Sequence, residues 1–246
     1  MPYDSPWLAE LTSLDKNARL RAVMALGQAA ESASLPALLN QLRVEPDFFV
    51  RDNLSWAIAR CGDGAVVPLI ELLADDDAGV RYHAAHALSK LGDVRAVDAL
   101  IALLDDVDGE VVQKAVFALG RLRDMRALPA LASRIGGGTR ELVIARKEAF
   151  EAFGEKAVPQ LAASLSHAES AVRIEVTELL GCIGGDAVTL SLTTAASDAD
   201  WQVRFAAINA LRGVTHPAAS AALTVAATDV HAHVRLLATR LLQEQA

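Results

Sequence analysis

Residues Asp77 to Leu104 read DAGVRYHAAHALSKLGDVRAVDALIALL: two apolar-periodic segments separated by Gly92-Asp93. Helical spacing of the apolar positions on both sides of a glycine turn predicts a pair of amphipathic helices. With Val80-Arg81 as register mark, the same place is held by Ala18-Arg19, Val50-Arg51, Val111-Val112, Leu142-Val143, Val172-Arg173, Val203-Arg204 and Val234-Arg235, a period of 30 to 32 residues. Self-similarity at this period marks a solenoid, because one helix pair cannot bury its apolar face without a neighbour.

The expected units are 1–32, 33–63, 64–93, 94–124, 125–155, 156–185, 186–216 and 217–246, tiling residues 1–246 as one array. The pattern D-x-x-V-R-x-x-A-A-x-A-L resembles the HEAT repeat of the phycobilisome-lyase type. The resemblance covers nearly the whole chain. It implies an all-α fold, a right-handed α-α superhelix of the HEAT/armadillo kind with about eight helix-pair repeats. A shared fold hosts many unrelated sites, so the resemblance speaks to architecture before function.

Composition agrees. Leu and Ala dominate and only 4% of residues are aromatic, as close helix contacts require. The net charge is -8 and the pI about 5.2. Neither half is basic, which argues against phosphate-backbone binding. Cys61 and Cys182 lie several units apart, so no disulfide is expected and a reducing, cytoplasmic setting fits. The N-terminal MPYDSPWLAELT lacks a signal-peptide pattern, and no apolar run is long enough for a membrane span.

Local signals place the helices. Ser5-Pro6 opens the first, and Pro36, Pro68, Pro129 and Pro159 recur near the start of later first helices, where the missing donor costs little. Gly62, Gly92, Gly154 and Gly184 close second helices. Four residues before the register Arg stands a capping residue: Asp15, Asp47, Asp77, Asp108, Glu169 and Asp200, with Thr139 and His231 as variants. An Arg in the first helical turn opposes the helix dipole. Its recurrence therefore predicts that it reaches a carboxylate of the neighbouring repeat, forming a ladder. Val112 and Val143 break the column, and Gly136-Gly137-Gly138-Thr139 replaces the acidic turn, so a soft joint is expected near 136–139.

Function is expected on the face lined by the second helix of each pair. Five residues beyond the register Arg stand Met24, Trp56, His86, Phe117, Glu148, Glu178, Asn209 and Arg240; nine beyond stand Gln28, Arg60, Lys90, Arg121, Ala152, Cys182, Gly213 and Glu244. With Tyr82, His83 and Lys114 added, repeats two to four present aromatic and basic residues together, and Glu148, Glu175 and Glu178 make the next repeats acidic. Large aromatics and Arg dominate binding hot spots. Trp56, Arg60, Tyr82, His83, His86, Lys90, Lys114, Phe117 and Arg121 are thus the candidate contacts for a protein partner, an acidic segment with apolar anchors. His83 with His86 is expected as an exposed pair, and the apolar end of the last repeat, Leu236 and Leu237, as a second contact surface. Phe48-Phe49 and Trp201, at inter-helix turns, are further exposed candidates.

Catalytic readings find little support. No G-x-S-x-G elbow or partnered Cys occurs; Cys61 is expected as a buried small hydrophobe and Cys182 on the groove. The expectation is a non-enzymatic scaffold with no catalytic residue, cofactor or metal. Two alternatives come from the resemblance. Bilin lyase subunits hold an acidic tetrapyrrole, which here would sit near Arg60, Lys90, Arg121 and His86. Deoxyhypusine hydroxylases carry iron on His-Glu dipeptides, and no such dipeptide occurs in this sequence.

Overall fold

The computed structural model describes residues 5–244; Met1–Asp4 and the last two residues of the polar end Gln243 to Ala246 lie outside them. Among the described residues the regular elements are helices without strands. In order they are α1 (Pro6–Glu10), α2 (Lys16–Ala29), α3 (Leu35–Val44), α4 (Phe48–Arg60), α5 (Val66–Leu72), α6 (Ala78–Leu91), α7 (Val97–Ala102) and α8 (Gly109–Leu122). Then follow α9 (Ala127–Ala132), α10 (Arg140–Phe153), α11 (Val158–Ser164), α12 (Ser170–Ile183), α13 (Asp186–Ala195), α14 (Trp201–Ala210), α15 (Pro217–Ala226) and α16 (Ala232–Glu244). Short 3₁₀ turns such as Gly62–Ala65 and Gly154–Ala157 lead into several odd-numbered helices. None of the described helices is long and apolar enough to cross a membrane.

The chain divides into two compact units between Ala127 and Leu128. In the first, each odd helix packs on the even helix that follows it, and α2, α4, α6 and α8 stack in sequence. In the second, α11, α13 and α15 pack on α12, α14 and α16, and α10, α12, α14 and α16 stack likewise. Each unit is an α-solenoid of two layers with the core between them. Val50, Leu54, Ile58, Leu69, Val80 and Leu88 are fully buried in the first unit, and Phe150, Leu161, Val176, Leu180, Val203 and Ile208 in the second.

Caps set the helix starts. The carboxylates of Asp15, Asp47, Asp77, Asp108 and Asp200 accept from amides of their first turns, and Thr139 Oγ1 accepts from Leu142 N at 3.2 Å. Two expected caps differ. Glu169 makes no side-chain cap bond; its own amide donates to His167 Nδ1 instead. Ser5 has extended backbone but no capping bond. At the helix ends, Gly92 takes the left-handed conformation with φ 71°, and Ala30 and Arg123 adopt the same conformation despite their Cβ atoms.

The arginine ladder is present, and its geometry explains a cation at a helix N-terminus. Arg81 grips Asp106 with two bonds of 2.7 Å while its Nη1 donates to the carbonyls of Asp75 and Asp76. Those carbonyls belong to the turn after α5. One guanidinium thus satisfies the end of its own pair and ties down the next. Arg19 with Glu45, Arg51 with Asp77, Arg173 with Asp198 and Arg204 with Asp229 repeat the arrangement of an Arg on an acid 25 or 26 residues later.

The expected break at Val143 is mended by another residue. Arg146, one turn further along α10, donates to both oxygens of Glu175 at 2.6 and 3.1 Å and to the Gly137 carbonyl at 2.6 Å. Glu175 also accepts from the Gly136 amide at 2.9 Å. Gly136, Gly137 and Gly138 have φ of 100°, 103° and 96°, values only glycine adopts freely. A wide glycine turn gives the long side chain of Arg146 room to reach an acid of the next pair, here inside α12 rather than in the turn before it.

Candidate partner-binding site

The candidate residues of the first unit lie on the open face of α4, α6 and α8. Trp56, Tyr82, His86, Lys114 and Phe117 are partly buried; Arg60, Lys90 and Arg121 are exposed. Lys114 Nζ lies 4.7 Å from the centre of the Tyr82 ring and 4.9 Å from that of Phe117. Phe117 in turn meets the His86 ring at 6.5 Å. Burial lowers the pKa of Lys114, and the nearest charge effect is that of Asp52. A desolvated ammonium clasped by two rings and held in no salt bridge among the described residues is a cation–π arrangement open to an external anion.

His86 is held neutral. Burial, with Lys114 and Lys90 adding to it, pushes its pKa down to about 4. Its Nε2 lies 3.3 Å from Asp52 Oδ1 and its Nδ1 is buried without a hydrogen-bond partner. At neutral pH the Asp52 contact is therefore between a carboxylate and a neutral ring rather than an ion pair.

His83 corrects the expected exposed pair: it is 0% exposed. Its Nδ1 lies 2.8 Å from the Gly79 carbonyl, which can only accept, so Nδ1 carries the proton and the buried Nε2 is left unpartnered. Phe48 and Tyr82 pack on the ring at 4.8 and 4.9 Å. His83 supports the patch from behind and offers no surface. Trp56 is also anchored, its ring lying so close over Gly27 that a Cβ there would overlap it. Tyr82, His83, His86, Lys114 and Phe117 thus form one cluster, while Trp56 and Arg60 lean on α2, Arg60 through a 3.4 Å contact to the Gly27 carbonyl. Asp52 and Phe48 complete the cluster. Asp52 stands beside the register Arg in the column of Tyr82, which is the signal that would have found it.

The second unit presents a different surface. A cavity of about 850 Å³ opens on α12, α14 and α16, floored by Gly181, Ala206 and Ala210 and walled by Ile174, Trp201 and Phe205. The floor is close-packed: a Cβ on Gly181 would come 2.7 Å from that of Ala210. Trp201 stacks on His231 at 3.8 Å with planes 13° apart, which fixes one wall. Glu178 and Cys182 border the cavity from α12, and burial raises the pKa of both. The thiol of Cys182 is therefore less nucleophilic than a free one. Cys61 is half-buried rather than buried, and burial raises its pKa too.

Glu175 was expected to make this face acidic alongside Glu178. It is instead only 8% exposed and consumed by Arg146 and Gly136. At the last helix Leu236 is 68% exposed and Leu237 half-buried. No group of three or more His, Cys, Asp or Glu among the described residues is placed to hold a metal ion, and the sequence contains no His-Glu dipeptide.

A family model described as HEAT repeats matches residues 35–120, 66–152 and 158–243. The chain belongs to the HEAT-repeat family. No curated protein matches it. Among solved structures, human deoxyhypusine hydroxylase in complex with glycerol is similar at 21% identity and a TM-score of 0.44, over 98% of this chain and 95% of that one. The complex of CpcE and CpcF of phycocyanin lyase from Nostoc is similar at 24% identity and a TM-score of 0.42, over 100% and 89%. An engineered protein is similar at 20% identity and a TM-score of 0.46, over 96% and 77%. Likenesses at this level carry no argument about activity.

Proposed function

We propose that this HEAT-repeat chain is a non-enzymatic protein-interaction scaffold, and that the first unit binds an acidic, apolar-anchored segment of a partner on α4, α6 and α8. The observation that carries this reading is Lys114 between Tyr82 and Phe117, half-buried and in no salt bridge among the described residues, on the face that also carries the exposed Arg121 and Lys90. In this reading a partner carboxylate meets Lys114, Arg121 and Lys90, and an apolar side chain lies against Tyr82 and Phe117. His83 and Trp56 hold the surface in shape, and Arg60 borders it. The repeats themselves we assign to the phycobilisome-lyase type, on the V-R and acidic-cap columns. The unpaired thiols of Cys61 and Cys182 fit a reducing, cytoplasmic setting.

The test is affinity capture from source-cell lysate with the wild-type chain and a Lys114→Glu/Arg121→Glu variant of matched thermal stability. A protein retained by the wild type and lost with the variant is the expected result. An identical set of captured proteins with both would sink the reading.

A further inference from the structure

We infer that the first unit receives an amphipathic α-helix of its partner, laid across α4, α6 and α8, with its apolar stripe on Trp56, His86 and Phe117 and carboxylates along one edge on Arg60, Lys90 and Arg121. This rests on the scaffold reading and names the shape of the segment that the face takes.

Equivalent offsets make two parallel rows. Trp56, His86 and Phe117 stand five residues past the register position, and Arg60, Lys90 and Arg121 stand nine past it. Because α4, α6 and α8 stack in sequence, each set lines up from helix to helix. Within a helix the two sets are four residues apart, about one turn or ~6 Å. The rings are partly buried, and the three cations are exposed in the last turns of their helices. The face is thus an apolar lane beside a cationic lane, both running across the helix axes.

Charge selects the occupant. Among the described residues none of Arg60, Lys90 and Arg121 is in a salt bridge, whereas Arg51, Arg81, Arg95 and Arg126 of the same unit all are. Arg60 makes only its 3.4 Å contact to the Gly27 carbonyl. Acids of the turns that follow these helices are engaged elsewhere: Asp93 and Asp124 bond to Arg95 and Arg126, and the charge of Asp63 also acts on Arg95. The face's own carboxylates, Asp52 and Glu110, lie toward the helix N-termini, across the rings from the cationic lane. Lys114 stands on that side with them, so that edge takes only the carboxylate that meets Lys114. The cationic lane has no acid of its own, and a row of partner carboxylates supplies it.

The two lanes also select the backbone form. An extended strand turns alternate side chains to opposite faces, so it offers a surface one line of residues, repeating every ~6.7 Å. A helix carries an apolar stripe with an acidic stripe alongside, each running the length of its axis. Stacked helices lie about 8–10 Å apart, and residues seven apart on a helix recur on nearly the same face every ~10.5 Å. Three anchors at that spacing, about 15 residues in all, meet Trp56, His86 and Phe117 in turn. The strand falls out of step after the first.

The experiment titrates fluorescein-labelled peptides with the full chain and reads fluorescence anisotropy. One peptide is a stapled helix of about 18 residues, with Leu or Phe at every seventh position and Glu four residues after each. A second has the same composition with the apolar anchors at every fifth position, and a third carries prolines that hold it extended. The chain is used as wild type and as Lys90→Glu, Arg121→Glu and Lys156→Glu, the last an exposed cation of the second unit. All three positions are exposed, and melting temperatures matching wild type are the condition for comparing them.

The helix with seven-residue spacing should bind about tenfold more tightly than either other peptide. Lys90→Glu and Arg121→Glu should each weaken it about tenfold, the scale of one charge-assisted pair, and Lys156→Glu should leave it unchanged. Equal affinity for the extended or five-spaced peptide, or an equal loss with Lys156→Glu, would overturn the inference. If the extended peptide binds as well and is still lost with Arg121→Glu, the acidic-segment reading stands without the helix. Binding by none of the peptides overturns the inference too, and the lysate capture then decides the acidic-segment reading by itself.

Discussion

At the column five residues past the register Arg, the first unit places Trp56, His86 and Phe117, and the second places Glu148, Glu178 and Asn209. The stacking of even-numbered helices beneath them is the same in both units. In the first unit the rings spread over the helix junctions and close them, leaving a cluster centred on Lys114. In the second, Gly181, Ala206 and Ala210 lie bare and a cavity opens. A repeat scaffold therefore needs no change of backbone to alternate between a filled face and a hollow one. Side-chain volume at a few columns decides it.

The largest effect separating the units should come from Arg146. It is 2% exposed and holds Glu175, Gly136 and Gly137 together, whereas the first unit has Val112 at the matching gap in the column. Arg146→Ala leaves a buried carboxylate without its cation, expected to cost ~3–5 kcal/mol. Residue-resolved hydrogen exchange should show faster exchange in α10 and α12 and little change in α4 and α6. Equal loosening of both units would mean that they do not keep separate stabilities.

Next in size are the ladder acids. Hydrogen bonds from Arg81, Arg173 and Arg204 hold the pKa values of Asp106, Asp198 and Asp229 below the ordinary range. A carboxylate with a depressed folded pKa contributes stability that is complete above its unfolded pKa, near ~4, and disappears as the pH falls through the folded value. Asp106→Asn and Asp198→Asn should each lose roughly 2 kcal/mol at neutral pH and unfold with a shallower acid dependence than wild type. The two losses should match, because these rungs have the same geometry in both units. A much larger loss for Asp198→Asn would place a load on the hollow unit that the filled one escapes.

These two predictions divide along what could be read beforehand. Caps and the ladder were readable because each is a fixed residue type at a fixed offset. Arg146 was not, since its guanidinium substitutes for one normally three residues earlier, across a turn whose three glycines gave no hint of the reach they permit. Burial of His83 and Glu175 escaped the sequence for a related reason. Both are polar residues at columns adjoining the open face, and only the positions of Phe48, Tyr82 and Arg146 show that they are covered. The cavity was half readable. Cys182 and Glu178 were expected on the face, but three small residues on two helices announce a hollow only once they are known to adjoin.

His86 offers a smaller, pH-specific effect confined to the filled face. Its folded pKa, about 4, lies below the unfolded value. The unfolded chain therefore takes up a proton that the folded one refuses, and stability falls as the pH drops from ~6.5 towards 4, by roughly 1–2 kcal/mol at pH 5. His86→Phe should remove that slope. An unchanged slope between pH 6.5 and 5 would show that His86 titrates normally and that the first unit's face is wetter than its ring packing implies.

The smallest effects bear most directly on the pairing of the two faces. Lys114 and Glu178 are both partly desolvated, and neither has an opposite charge within bonding distance, so each is slightly unfavourable in the free protein. Glu178 has a raised pKa, and its cost grows as the pH rises past the ordinary carboxylate value; Lys114 has a lowered one, and its cost grows as the pH falls below the ordinary ammonium value. Replacing either with a neutral isostere, Lys114→Met or Glu178→Gln, should raise the melting free energy at pH 7 by a few tenths of a kcal/mol, within the range of surface substitutions. Calorimetry of the two variants against wild type is the measurement. A stability gain combined with lost partner binding is the signature of groups kept for recognition at the expense of the fold. If either variant melts earlier, that charge already has a partner within the free chain, and the contrast between the desolvated lysine of the first unit and the desolvated carboxylate of the second fails on that side alone.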